Sequence, residues 1–256
     1  MPDPGLDDAI RAVGGVTELA RRLGITQPSV SNWARVPAAR VLSVEAATGV
    51  ARKTLRPDLY GEGPDQADEI DAERAREYAL LAVLLASPPD AALLQRLVRL
   101  QGDATPLGLA HAALARAAEA ATLEGLAREF FDLFIGIGRG ELLPYGSFYL
   151  TGFLHERPLA RLRQDLCRFG IARAEGVAEP EDHAGILCEI MAGLASGQLP
   201  APQTADRTIF ESHIAPWMGR FFADLEGAEA AEFYKPVGTM GRILMEIEAE
   251  AFALPL

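Results

Sequence analysis

The sequence predicts an all-α chain, a small helix-turn-helix domain followed by a larger helical bundle. Three observations carry this. Residues 19–33 read as a helix, a glycine turn and a second helix. From about Asp71 to the C-terminus apolar residues recur at spacings of three and four, with no strand-like alternation longer than a few residues. Between the two, Gly61-Glu62-Gly63-Pro64-Asp65-Gln66-Ala67-Asp68 brings glycine, proline and acid together, the composition of a linker. The expected division is 1–61, a linker over 62–70, and 71–256.

In the first domain, Leu19, Ala20 and Leu23 share one apolar face. Ala20 is small enough for a second helix to come close. Gly24 can take the left-handed conformation that ends a helix, and Ile25 plugs the turn. Thr26 is an N-cap candidate, and Pro28 is tolerated in a first turn. Val30 and Trp33 are expected to face the core. Gln27, Ser29, Ser31 and Asn32 are left pointing outward, and Gln and Asn side chains can pair bidentately with adenine in the major groove. Cap, turn, plug and polar face occurring together favour a DNA-reading unit over an ordinary helical hairpin.

Charge points the same way. Residues 11–56 hold eight basic residues (Arg11, Arg21, Arg22, Arg35, Arg40, Arg52, Lys53 and Arg56) against Glu18 and Glu45, a net of +6 in a chain whose net charge is −12. A basic module on an acidic body fits phosphate contacts for the first domain, with Arg21, Arg22 and Arg35 nearest the motif, and a different partner for the second. Val13-Gly14-Gly15, Glu18-Leu19-Ala20-Arg21, Val36-Pro37-Ala38-Ala39-Arg40, Glu45-Ala46-Ala47-Thr48-Gly49 and Leu55-Arg56-Pro57-Asp58-Leu59-Tyr60 resemble the YdaS/Cro-type helix-turn-helix proteins. That resemblance implies a prophage-type repressor or antitoxin that binds operator DNA, usually as a dimer.

In the second domain Tyr78, Leu81 and Leu85 share a face that Ser87-Pro88-Pro89 terminates. Leu93, Leu94, Leu97 and Leu100 follow. Leu126, Phe130, Leu133, Phe134 and Ile137 form a heavier stripe, as do Phe210, Ile214, Trp217, Phe221 and Leu225. Val237, Met240, Leu244, Ile247 and Ala251 close the chain. Roughly eight to ten helices are expected at ordinary helix lengths. Gly136-Ile137-Gly138-Arg139-Gly140 lacks the spacing of a phosphate-binding loop and follows a helix, so it reads as a terminator and loop.

The chain has no apolar run long enough to span a bilayer, and its first residues, Met1-Pro2-Asp3-Pro4, do not begin a signal peptide, so the cytoplasm is expected. Cys167 and Cys188 make no disulfide framework and are expected as buried free thiols. His111, His155, His183 and His213 show no zinc spacing, and no metal site is expected.

Two loops bear chemistry. Pro144-Tyr145-Gly146-Ser147-Phe148-Tyr149 sets aromatic rings and a hydroxyl beside a flexible loop. Glu179-Pro180-Glu181-Asp182-His183 follows a soft stretch and precedes a helix near Ala184, whose N-terminus Asp182 or Glu181 would suit. Three readings follow: a capped helix start, a peptide clamp of carboxylates and tyrosines, and a hydrolase built on Asp182-His183. No motif places a nucleophile for the last.

Tyr145-x-Ser147-x-Tyr149, Glu179-Pro180-x-Asp182-His183, the Phe130–Phe134 helix and His213-Ile214-Ala215-Pro216-Trp217 resemble the TorD/DmsD/NarJ family over about residues 71–255. The resemblance implies an all-helical cytoplasmic chaperone, not an enzyme. It binds the twin-arginine signal peptide or N-terminal segment of a molybdoenzyme catalytic subunit until cofactor is inserted. It implies that Tyr145, Ser147, Tyr149, Glu179, Pro180, Asp182 and His183 line or shape that site. It also implies no tightly bound cofactor, with weak binding of molybdenum cofactor or guanine nucleotide as a family property. Typical members lack a DNA-binding module. The expected function is therefore chaperone action with duplex-DNA binding that couples it to transcription. The rival is a transcriptional regulator using the second domain as its sensor. A homodimer is expected, and no membrane partner.

Overall fold

The computed structural model describes residues 3–60, 66–173, 179–202 and 204–254. The chain divides into two compact units, Met1–Glu69 and Ile70–Leu256. Within the expected linker, residues 62–65 lie outside the described residues. Residues 66–70 are not linker but the start of a helix, Gln66–Ala86, where acidic Glu69 lies near the positive end of the helix dipole.

Among its described residues the first unit has helices and loops and no strand. Helices Pro4–Val13, Val16–Arg22, Gln27–Ser31 and Val41–Thr48 are followed by two single turns, Arg52–Leu55 and Pro57–Tyr60. Leu6, Leu19, Ala20, Val30, Val41, Val44 and Leu55 are among its buried core, with Trp33 and Ile25 partly buried against it. Gly24 has φ +65°, the left-handed value that the turn between the second and third helices demands. Asp3 caps the first helix, accepting the Gly5 and Leu6 N–H groups at 3.1 and 3.2 Å. Arg56, counted from sequence with the basic surface, is buried, and its guanidinium donates to the Val36 carbonyl at 2.7 Å. It ties the closing turns to the loop after the third helix.

From Gln66 to Ala253 the described residues form ten α-helices and two π-helical turns, the first helix beginning just before the second unit and the rest lying within it. One core holds them, from Tyr78, Leu81 and Leu84 through Leu126, Leu133 and Leu187 to Phe221, Phe222 and Leu244. The helices Met218–Gly227 and Tyr234–Ala253 cross closely because glycine removes the obstacle. A Cβ at Gly241 would run into the Phe222 ring, and one at Gly238 into the backbone at Phe222 and Glu226. Glu129 fastens the connection between these helices by accepting the N–H groups of Glu232, Phe233 and Tyr234 at 2.8, 3.2 and 2.8 Å.

Three expectations are corrected. Ile247 is exposed and Glu248, one residue on, is 1% exposed. The buried face of the last helix runs Val237, Gly241, Leu244, Glu248, following the helical turn toward Arg74. Arg74 grips Glu248 through Nε at 2.8 Å and a terminal nitrogen at 2.9 Å, and Tyr78 donates its hydroxyl to the same carboxylate at 3.1 Å. Burial works against the charge on Arg74, but the Glu248 hydrogen bonds and charge outweigh it and its pKa is raised. Ile137 is 98% exposed, because the preceding helix ends in the π-turn Phe131–Ile135 and the chain leaves the core face. Cys167 is exposed rather than buried; it and buried Cys188 are both free.

Arg74→Ala leaves the Glu248 carboxylate buried without its cation. The substitution is expected to destabilise the second unit by about 3–5 kcal/mol, read from urea unfolding of the full chain. An Arg74→Met/Glu248→Leu pair is expected to recover most of that loss.

Candidate functional site

In the first unit the residues expected to meet DNA lie on and beside the helix Gln27–Ser31. Gln27, Ser29, Ser31, Asn32, Arg21, Arg22 and Arg35 are all exposed. Val30 and Trp33 turn the other way, into the core. Thr26 occupies the N-cap position, but its hydroxyl pairs with Ser29 Oγ at 2.8 Å rather than with a backbone N–H. Gln27 donates to Ser31 Oγ at 2.9 Å. Arg21 and Arg22 are not open cations. Glu18 accepts from Arg21 at 2.8 and 2.6 Å and from Arg22 at 3.0 Å. The hydrogen bonds to Arg21 first, and to Arg22 next, pull the Glu18 carboxyl down to about 2.

In the second unit the two sequence-marked loops meet. Tyr145 and His183 form a single antiparallel bridge. Gly146 N–H donates to the Asp182 carbonyl at 2.9 Å, and Ala184 N–H to the Pro144 carbonyl at 2.8 Å. Asp182 Oδ2 accepts the Ser147 N–H at 2.7 Å. This carboxylate therefore holds the start of the helix Gly146–Thr151, supplied from the other loop. The helix Ala184–Ala195 is capped by His183 instead, whose Nδ1 accepts the Gly185 N–H at 3.1 Å. The capped helix start read from the sequence is present with His183 as its cap, and the chain direction at the bridge aims Asp182 across to the neighbouring loop instead. Glu181 pairs with Arg163 at 2.9 Å. The flexible loop expected around 145–149 is a helix from Gly146 onward.

Tyr145 donates its hydroxyl to Glu179 Oε2 at 2.7 Å, and its ring stands edge-on to His183 at 5.2 Å. Pro180 contributes its carbonyl, which accepts the His183 N–H at 3.1 Å. Tyr149 lies one turn further on. It donates to Asp224 at 3.0 Å and leans on Trp217 at 5.4 Å. The structure thus brings Tyr145, Ser147, Glu179, Pro180, Asp182 and His183 together and sends Tyr149 toward Trp217. Ser147, Asp182 and His183 are buried, Tyr145, Tyr149 and Pro180 partly buried, and Glu179 exposed.

Burial pushes the His183 imidazole below its ordinary value, although Glu179 and Asp182 pull it up. Burial, then the bond to Glu179, pushes the Tyr145 hydroxyl up.

Behind the bridge is a cavity of about 60 Å³ lined by Gly146, Leu150, Pro158, Arg161, Leu162, Asp182, Ser212 and His213. Sequence reasoning missed Arg161, Ser212 and the role of His213, whose Nε2 meets Asp165 at 2.8 Å and whose carbonyl accepts from the Trp217 indole at 2.7 Å. The four-residue spacing of His213 and Trp217 was the available signal. Among the described residues Asp182 and His183 form no catalytic relay: Asp182 Oδ2 and His183 Nδ1 are each turned to a backbone N–H, and Ser147 Oγ and Asp182 Oδ1 have no hydrogen-bond partner. Among the described residues no group of three or more His, Cys, Asp or Glu side chains could hold a metal ion, and no helix is long and apolar enough to cross a membrane.

Residues 100–223 match the family model described as nitrate reductase delta subunit, and residues 6–64 that described as bacterial toxin YdaS. The chain thus carries two separate similarities, one in each compact unit. "Chaperone protein TorD" of Vibrio cholerae is 32% identical over 105 residues, 38% of this chain and 48% of that protein. At that identity the chain spans about half the length of the relative it matches. TorD of Aliivibrio fischeri is 30% identical over 113 residues, 40% of this chain and 52% of its own length. TorD of Shewanella loihica is 24% identical over 201 residues, 70% of this chain and 92% of that protein. A solved structure described as a redox enzyme maturation protein from Archaeoglobus fulgidus aligns with TM-score 0.46 and 20% identity, over 68% of this chain and 93% of the other.

The second unit should weaken in mild acid. With its folded pKa depressed below the ordinary 6.5, neutral His183 favours the folded state, and the unfolded chain takes up the proton first. Its contribution is full above about pH 6.5 and is lost as pH falls, when protonation also removes the acceptor for Gly185. His183→Asn keeps a cap without a titrating ring and should flatten this part of the profile. Urea midpoints between about pH 7.5 and about pH 5 provide the check, and identical profiles for the two proteins would contradict it.

Proposed function

We propose that the second unit is a cytoplasmic maturation chaperone. It binds the N-terminal segment of a molybdopterin oxidoreductase, a twin-arginine signal peptide or its equivalent, during cofactor insertion, and catalyses no reaction itself. We propose further that the first unit binds duplex DNA, as a dimer, and couples the chaperone to transcription. The named TorD relatives and the family model support the first part.

The observation that carries it is the surface at the bridged loops. Tyr145 and Glu179 lie at its rim, and Leu150, Phe153 and Leu154 stay exposed at 43, 70 and 40% on the helix end that follows. A signal peptide brings paired arginines and an apolar stretch, and this surface offers a carboxylate, aromatic faces and apolar side chains. Ser147, Asp182 and His183 act in this reading as positioning residues. They set the two loops in place from inside, and Asp182 meets no peptide arginine at the surface.

The test is calorimetry of the full chain against a molybdoenzyme twin-arginine signal peptide. Tyr145→Phe/Glu179→Gln removes one charge-assisted contact worth about 1.5–3 kcal/mol, so affinity should fall about ten- to a hundredfold. The residual binding should also depend less on salt. Phe153→Ser/Leu154→Ser should remove mainly the part that survives high salt. Equal affinity for all three folded proteins would place the site elsewhere.

The exposed polar row Gln27, Ser29, Ser31 and Asn32 favours a second reading beside this one, a regulator that senses client through the TorD-type unit. Genomic-fragment selection with the full chain should enrich a two-fold symmetric site with half-sites about one helical turn apart. Asn32→Ala should relax its sequence preference by about 1–3 kcal/mol. A signal peptide that shifts the affinity for that site supports the regulator. DNA and peptide binding that ignore one another leave the chaperone reading alone.

A further inference from the structure

The second helix of the first unit carries an arrangement that the motif does not require. One carboxylate, Glu18, takes three guanidinium N–H bonds. Its two oxygens fork on Arg21 at 2.8 and 2.6 Å, and one of them also takes Arg22 Nε at 3.0 Å. The two arginines are not equivalent. Arg22 also donates to the Ala47 carbonyl at 2.9 Å, near the end of the helix Val41–Thr48, and so is anchored on a second element. Among the described residues Arg21 is held by Glu18 alone, and its side chain is 72% exposed. Both lie just before the turn that leads into Gln27, Ser29, Ser31 and Asn32.

We propose that Glu18 sets how selectively the first unit binds duplex DNA, by holding the guanidinium of Arg21 on the helix Val16–Arg22 and off the phosphates of indifferent sequences. The inference rests on the DNA-binding reading above. Binding to arbitrary DNA is almost wholly a phosphate effect and grows with each cation that meets the backbone. With Glu18 in place, the three side chains together present a net charge of +1 instead of +2, and the carboxylate repels approaching phosphate. The clamp is exposed, so it is screened and exchangeable. On a site where Gln27, Ser29 and Asn32 meet base edges, the helix is seated and a phosphate is fixed within reach, so Arg21 can exchange partner. On other sequences no such seating occurs, and the clamp stays closed. Glu18 thus lowers binding to indifferent DNA more than binding to the preferred site.

The experiment compares wild type and Glu18→Gln in the full chain by fluorescence anisotropy. The probes are a short duplex of random sequence and the duplex enriched by genomic-fragment selection, each across a salt series. Glu18→Gln should tighten random-duplex binding roughly three- to tenfold at low salt and steepen its log K against log salt slope by about 0.9. Binding to the enriched duplex should tighten less, so the ratio of the two affinities falls. Adding Arg21→Gln to Glu18→Gln should return the slope to the wild-type value, whereas adding Arg22→Gln should not, because in Glu18→Gln itself Arg22 stays on the Ala47 carbonyl and supplies none of the added phosphate contact. An unchanged ratio and slope in a Glu18→Gln protein with wild-type melting would overturn the proposal. So would a fallen ratio with an unchanged slope, since that change would come through the fold. If neither protein binds either duplex, the DNA-binding reading fails, and this proposal with it.

Discussion

A buried carboxylate organises the second unit's site. Asp182 is 3% exposed, and its Oδ2 takes the Ser147 N–H at 2.7 Å across the junction of two loops far apart in sequence. A buried carboxyl group costs the fold dearly unless it is hydrogen-bonded; here the helix start at Gly146 provides the donor to Oδ2, while among the described residues Oδ1 has no partner. The two backbone bonds of the Tyr145–His183 bridge set the distance. With that distance set, Tyr145 reaches Glu179, His183 turns back to cap its own helix, and Gly146 sits against the Trp217 indole, where a Cβ would meet the ring nitrogen at 3.0 Å. The surface available to a partner is a consequence of this internal arrangement. A residue can therefore matter to binding without ever touching the ligand.

The same unit is closed by a second buried charge. Arg74 on its first long helix and Glu248 on its last meet with good geometry, and the Tyr78 hydroxyl completes the carboxylate. The Phe252 ring lies 5.2 Å from the guanidinium. Such pairs add little net stability compared with well-packed apolar residues, but losing one partner is costly. The pair therefore fixes which face of the last helix points inward.

In the first unit, charge is divided between structure and surface. Arg56 is buried on the Val36 carbonyl, and Arg22 is anchored on Ala47 while sharing Glu18 with Arg21. A net charge of +6 over residues 11–56 thus overstates the freely offered positive charge. The polar row from Gln27 to Asn32 remains exposed on a helix whose inner side is fixed by Val30 and Trp33.

By itself, the sequence determined the helical class, the glycine turn at Gly24, and the apolar stripes through Phe221 and Leu244, because helix periodicity and turn chemistry are local. It also marked 145–149 and 179–183 as segments that bear chemistry, from their residue types, while the bridge that joins them is a tertiary contact. Only the tertiary structure decided what each does. Asp182 caps the other loop's helix and His183 its own, because bridge direction is a long-range property. Glu248 rather than Ile247 lies inside, because its partner Arg74 is 174 residues away. Ile137 leaves the core because a π-turn resets the register that its spacing implied. Periodicity tells which residues can share a face. Which face is buried, and which charge is met there, depends on partners that only the folded chain brings into contact.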